Sequence, residues 1–263
     1  MKSIIKKYPI VAFYVTCLLF LITIGLANML LFPTSFDYIL ILPQWSPALA
    51  AILVVLVQGG RINVKSLLMK IAFKNLNMRW LLIALVIPLI ICCLSYVIFS
   101  FVEHKQLVIP VLCRSGGNYS ICLLAAIFGS YGEEIGWRGF MLPQLLKKYS
   151  LFLSSLIVGV FWGLWHFKFQ TPLITVFYLI SVIEFSLIIS WLCSKTKGNI
   201  LVAIVFHTIL NMCSLLLFEN MLSDKVHGLY MQELLYGIYA LLFAVPSVLI
   251  TKEMVRTENR DSG

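Results

Sequence analysis

The sequence carries little charge for its length. Only 12% of its 263 residues are Asp, Glu, Lys or Arg, whereas 61% are hydrophobic. An ordinary soluble domain has about 25% charged and roughly 45–50% apolar residues. So low a charge excludes a water-soluble globule, and it also excludes a disordered chain, because disordered chains are polar.

The sequence also lacks a Ser/Gly-rich linker, an internal repeat and a low-complexity tract. We therefore expect one integral-membrane domain over residues 1–263, with a polar tail, 251–263, that lies free of the fold. Most of the seven cysteines lie inside apolar runs without metal-ligand spacing. They indicate small core residues rather than a disulfide framework.

Long apolar runs fill the rest of the chain. A membrane-spanning helix needs roughly 20 such residues, and the first run is too long for the apolar region of a signal peptide. The pattern predicts an all-α, polytopic transmembrane helical bundle with about eight spans, at roughly 9–32, 45–58, 79–102, 119–143, 150–167, 173–193, 199–218 and 228–250.

The basic residues predict the orientation of these spans. With the N-terminus inside, fifteen Lys and Arg residues fall in inner segments and four in outer loops. Cytoplasmic loops collect Lys and Arg, so this bias predicts that both termini are cytoplasmic. It also explains the net charge of +9 without nucleic acid, because no aromatic-interleaved basic patch is present. We expect the protein to be embedded in the lipid bilayer.

Few ionisable residues lie deep in the predicted spans. Such groups are costly in a bilayer and are candidates for function by default. The set is Glu133, Glu134, Arg138, His166, Glu184 and His207. Glu184 belongs to no motif, and we expect it to bond to a neighbour or to line a cavity.

Glu134 and Arg138 are four residues apart, so on a helix they share a face and suit an ion pair. Glu133 is turned about 100° away and borders a stripe of glycines, Gly129, Gly132, Gly136 and Gly139. Small residues let a neighbouring helix approach closely. We expect Arg138 to neutralise Glu134, which leaves Glu133 available for chemistry.

His166 follows Trp162 by four residues, and His207 precedes Asn211 by four. Each pair shares a helix face. Taken alone, either histidine is an ordinary core residue or an interhelical polar contact. Together with Glu133, however, they can act on one water molecule.

These motifs, in this order and spacing across residues 129–211, resemble the signature of the CAAX protease and bacteriocin-processing (CPBP, or "Abi") family. It consists of intramembrane proteases and includes the type II CAAX prenyl endopeptidase. One departure is visible, since Trp162 stands where the family usually has Phe. The resemblance implies a peptide hydrolase of the glutamate or metallo type.

The resemblance further implies that Glu133 and His166 activate water, while His207 and Asn211 bind the oxyanion or a metal. Glu134 and Arg138 support the site. The chain lacks His-Glu-x-x-His, the common helical zinc signature, yet Glu133, His166 and His207 could form a metal site for zinc or another divalent ion. Metal-assisted and metal-free hydrolysis both stay open, and no cofactor is required by the residues alone.

Depth estimates test whether these residues can meet. At about 1.5 Å per residue, Glu133 lies roughly 21 Å from the outer start of its span and His207 roughly 12 Å from the inner start of its own. His166 lies roughly 24 Å from its inner start. The expected site is in the cytoplasmic half of the bilayer, provided that the fourth and fifth helices project or tilt.

The expected substrate is a peptide or a membrane protein, and the expected location is the bacterial cell membrane. The alternative is a non-catalytic membrane binding protein, such as a bacteriocin-immunity factor that captures its partner in the same cavity.

Overall fold

The computed structural model describes residues 2–31, 42–71, 76–103, 119–218 and 228–261. Within these ranges the regular structure is entirely helical. The helices are α1 (Lys2–Lys7), α2 (Pro9–Leu31), α3 (Ser46–Gly59, after a 3₁₀ turn at Pro43–Trp45), α4 (Arg61–Leu68), α5 (Met78–Val102), α6 (Tyr119–Glu134), α7 (Leu142–Leu145), α8 (Leu151–Trp165), α9 (Pro172–Lys195), α10 (Leu201–Cys213) and α11 (Gly228–Asp261).

The predicted all-α polytopic bundle is confirmed. Four helices, α2, α5, α9 and α11, are long and apolar enough to cross a membrane. The other predicted spans correspond to α3, to α6 with its continuation, to α8 and to α10, which are shorter or interrupted. Of the four predicted outer connections, those at 104–118 and 219–227 lie outside the described residues, and the orientation stays a prediction.

A π-helical segment, Ile135–Met141, joins α6 to α7. The Leu142 N–H donates to the Trp137 carbonyl, five residues back, which defines a π turn. The Lys70 ammonium donates to the Gly139 carbonyl at 2.6 Å, and burial lowers the pKa of Lys70. Lys70, which lies outside the predicted spans, thus stabilises the π-helical segment through this hydrogen bond.

The glycine stripe brings α3 against this segment. A Cβ atom on Gly132 would lie 2.9 Å from the Trp45 Cα atom, and one on Gly136 would lie 2.3 Å from the Pro47 Cβ atom. Real Cβ atoms do not approach so closely, so only glycine fits. The predicted close helix approach is confirmed.

Helices α8, α9 and α11 form the other side of the bundle. Gly159 and Gly163 of α8 face Ile183 and Leu179 of α9, and Phe185 of α9 packs edge-on against α11. Helix α10 lies against both α5 and α6. Three structural segments, α6 with its π continuation, α8 and α10, therefore converge.

The expectation that the tail from Thr251 lies free of the fold is wrong for residues 251–261. Helix α11 continues to Asp261. Glu253 pairs with Lys195, Met254 is buried, and Glu258 accepts a 2.6 Å hydrogen bond from the Leu151 N–H. The polar composition reflects a helix that leaves the apolar layer but still packs on α8 and α9.

Candidate active site

The Glu134 carboxylate lies at the centre of a buried polar cluster. Its Oε1 atom accepts a hydrogen bond from Arg138 Nη1 at 2.9 Å, and both side chains are fully buried. The predicted ion pair is therefore present, although the helix changes to π geometry directly after Glu134. In a low-dielectric interior a carboxylate needs such a partner.

The same Glu134 oxygen also contacts a histidine that the sequence did not connect with it. His207 Nδ1 lies 2.8 Å from Glu134 Oε1, so α10 is tied to α6 through this carboxylate. An ionised carboxylate accepts only, which assigns the Nδ1 proton to His207. This contact fixes the imidazole ring and directs Nε2 to the other side.

Glu133 faces a different helix. The Trp162 indole N–H donates to Glu133 Oε2 at 2.7 Å, and His166 Nε2 lies 3.9 Å from the same oxygen. Glu133 is only 2% exposed. The two glutamates thus separate as the sequence predicted, Glu134 toward Arg138 and Glu133 toward a histidine.

His166 ends α8 as its C-cap residue. Its Nδ1 atom lies 2.9 Å from the Trp162 carbonyl, an acceptor, so Nδ1 carries the proton and the neutral ring keeps its lone pair on Nε2. The Tyr178 ring packs edge-on at 5.4 Å from the imidazole. Backbone and ring contacts together aim Nε2 at Glu133.

Asn211 lies one turn beyond His207 on α10. Its Nδ2 atom donates to Ser130 Oγ at 3.4 Å, and Ser130 in turn donates to the Ala126 carbonyl. Sequence reasoning missed Ser130, although its place four residues before Glu134 on α6 puts it on the same face. The structure therefore brings Glu133, Glu134, Arg138, His166, His207 and Asn211 together.

Glu184 does not join this group. It is 7% exposed, and in the described part of the chain its Oε2 atom has no hydrogen-bond partner. The remaining histidines, His104 and His227, for which no function is expected, lie outside the described residues.

The structure revises the depth of the site. His166 contacts Tyr178, which lies six residues after the start of α9 and seventeen before its end at Lys195. At about 1.5 Å per residue, these positions are roughly 9 Å and 26 Å from the two ends. The site is nearer the end formed by residues 167–171.

In the predicted orientation this end is the outer one, whereas the sequence estimate places the site in the cytoplasmic half, so depth and orientation both stay predictions. The estimate for His207 took residue 199 as the membrane surface. The Ile200 N–H instead donates to the Lys70 carbonyl, and Ile200 lies close to Gly139 inside the bundle. Ile200, the N-cap residue of α10, is therefore packed within the fold.

The three side chains of the predicted metal set each have protein partners in this arrangement. Within the described residues, no three side chains of His, Cys, Asp or Glu meet as a metal-binding group. His207 directs Nδ1 to Glu134, whereas His166 faces Glu133 across 3.9 Å. The Glu133, His166 and His207 metal set stays a prediction for experiment.

The fold and the site define an integral membrane protein with a buried carboxylate–histidine centre. Residues 115–213, which contain every residue of that centre, match the family model "Type II CAAX prenyl endopeptidase Rce1-like". Over this segment the chain is similar to the Rce1-like CAAX endopeptidase family.

Two curated relatives agree with this assignment. The chain is 37% identical to "CAAX prenyl protease 2" of Methanococcus maripaludis over 105 residues, which cover 35% of this chain and 37% of that protein. It is 24% identical to "Lysostaphin resistance protein A" of Staphylococcus haemolyticus over 182 residues, 68% of this chain and 50% of that protein. The chain thus spans half or less of the length of these relatives.

Proposed function

We propose that the protein is an intramembrane endopeptidase that hydrolyses a peptide bond with water activated by Glu133 and His166. The observation that carries this proposal is the 3.9 Å separation of Glu133 Oε2 and His166 Nε2. Both atoms are acceptors, and one water molecule about 2.8 Å from each fits between them. Its two hydrogens are then held, which leaves a lone pair on its oxygen free to attack a carbonyl carbon.

The reaction follows from this arrangement. Glu133 accepts a proton from the water as its oxygen attacks the scissile carbonyl carbon. The carbonyl oxygen becomes an oxyanion, which Asn211 and His207 stabilise by hydrogen bonds. Glu133 then returns the proton to the leaving amine as the C–N bond breaks, which restores the carboxylate.

In this scheme His207 stabilises the oxyanion only in its doubly protonated form. Its Nδ1 proton is directed to Glu134, so Nε2 donates to an oxyanion only when the ring carries both protons. Glu134 supplies the counter-charge for that imidazolium, and it also binds Arg138. Glu134 and Arg138 therefore support catalysis by holding His207 rather than by touching the substrate.

The substrate is a peptide or a membrane protein that reaches the site within the bilayer, and the location is the bacterial cell membrane. The archaeal relative is called a CAAX prenyl protease, so a prenylated peptide ending in Cys-a-a-X is a reasonable first probe. No nucleic acid enters the proposal.

The test is cleavage of a fluorogenic prenylated Cys-a-a-X peptide by the purified protein in detergent or vesicles. Glu133→Gln and His166→Ala should each abolish cleavage, because either loses the activated water. Asn211→Ala should leave residual turnover, since one oxyanion donor is worth about 10²–10³ in rate. Full activity of Glu133→Gln would exclude the proposal.

A second candidate function is suggested by the relative called a lysostaphin resistance protein. In that case the protein acts as a non-catalytic membrane binding or bacteriocin-immunity protein, and the same centre only binds a partner. A resistance phenotype that survives Glu133→Gln, with equal amounts of protein in the membrane, would favour this function.

A further inference from the structure

Trp162 lies between the two halves of the candidate site. Its side chain is 2% exposed, and its indole N–H donates to Glu133 Oε2 at 2.7 Å. Within the described residues this is the one hydrogen bond that Glu133 accepts. A buried carboxylate with one such donor depends on it for both its orientation and its charge.

The Trp162 indole ring also packs against the cluster around Glu134, which includes Arg138 and His207. The Arg138 guanidinium carbon lies 4.3 Å from the centre of the Trp162 ring, within the range of a cation–π contact. The His207 ring packs edge-on at 5.1 Å. The indole is therefore fixed from the side of Glu134, while its N–H fixes Glu133.

We propose that Trp162 is a positioning residue that holds Glu133 as an oriented carboxylate beside His166. With Oε2 occupied by the indole N–H, the carboxylate cannot rotate freely. The indole N–H also supplies this buried carboxylate with a hydrogen-bond donor, which a charged group in a low-dielectric interior needs. The catalytic consequence depends on the proposed function, but the hydrogen bond and its effect on Glu133 do not.

Phenylalanine could not perform this role. The family that the sequence resembles usually has Phe at this position, and Phe keeps an aromatic face for Arg138 but has no N–H. In this chain Trp162 therefore adds a polar function to a packing position. Because the two side chains differ chiefly at that group, Trp162→Phe is an informative substitution.

The experiment compares Trp162→Phe with Trp137→Phe. Trp137 is fully buried as well, but its indole nitrogen has no hydrogen-bond partner in the described part of the molecule. Both variants lose a similar volume from the core and should lose similar stability. Only Trp162→Phe removes a donor from Glu133.

The first readout is the infrared absorption of the Glu133 carboxyl group in the purified protein at one fixed pH. The part of the spectrum that Glu133→Gln removes belongs to Glu133. In Trp162→Phe the frequency of this part should change, because the carboxyl group loses a hydrogen-bond donor. It should stay in place in Trp137→Phe.

The second readout is cleavage of the fluorogenic peptide, expressed per folded molecule. Trp162→Phe should lower kcat about 10- to 100-fold with little change in KM, whereas Trp137→Phe should keep kcat close to the wild-type value. An unchanged Glu133 frequency in Trp162→Phe would overturn the proposal. A changed frequency in a protein whose wild type cleaves nothing would instead overturn the proposed function.

A second substitution covers the case in which Trp162→Phe does not fold. Benzothienylalanine at this position, introduced by codon suppression, replaces the indole N–H by sulfur at nearly the same size. It should shift the Glu133 band in the same direction as Trp162→Phe. An unshifted band in this folded variant would contradict the assigned role of the N–H group.

Discussion

Removing the charge of Glu134 should destabilise the protein far more than removing that of Glu133. Glu134→Gln leaves the Arg138 guanidinium buried without a counter-ion, and it also weakens the contact to His207. An uncompensated buried charge costs about 3–5 kcal/mol. Glu133→Gln leaves no such charge, because Gln still offers an oxygen to the Trp162 N–H, so its cost should be below about 1 kcal/mol.

Thermal unfolding in detergent measures the difference. For a protein of this size about 1 kcal/mol corresponds to roughly 2–4 °C, so Glu134→Gln should lower Tm by about 6–20 °C and Glu133→Gln by a few degrees at most. The double variant Glu134→Gln with Arg138→Met removes both charges and should recover much of the loss. Equal Tm values for the two single variants, or no recovery in the double variant, would refute this division of roles.

Three further predictions follow from the fold and the site. Gly136→Ala should reduce the yield of folded protein and lower its stability by about 1–3 kcal/mol, because the added methyl group meets Pro47. Yield and Tm are compared with those of the control Gly25→Ala, where the space around the added methyl group is open. Strong chelators should leave peptide cleavage unchanged, whereas loss of activity that zinc restores would establish a metal-dependent reaction. A cysteine that replaces Gly116 should react with a membrane-impermeant reagent added outside the cell, and tags at both termini should report a cytoplasmic location. The opposite labelling would place the site in the cytoplasmic half of the bilayer.

The spacing of the motifs predicted which residues of one helix share a face. Residues four apart on a helix share a face, so Glu134 with Arg138 could be paired from the sequence, and Glu133 could be set apart from them. The link from Glu134 to His207 could not be predicted, since it depends on how α10 lies against α6. Spacing within one helix says nothing about the contacts between two.

Depth was the least predictable property. The estimate for His207 assumed that every predicted span begins at the membrane surface, whereas Ile200, the N-cap residue of α10, lies beside Gly139 inside the fold. The π-helical segment also could not be predicted from the sequence, because its hydrogen-bond register depends on the tertiary contacts around it. The end of α11 was missed for another reason: polar residues resemble a free tail even when they form a helix that packs on its neighbours.

The hydrogen bond between Glu258 and the start of α8 has a consequence for biosynthesis. The Leu151 N–H receives its acceptor from a residue 107 positions later in the chain, and the far end of α8 carries His166. While the chain emerges from the ribosome, α8 therefore enters the membrane before Glu258 exists. Contacts with α9 can form first, but the start of the helix that presents His166 gains this acceptor only after α11 has been made and has docked.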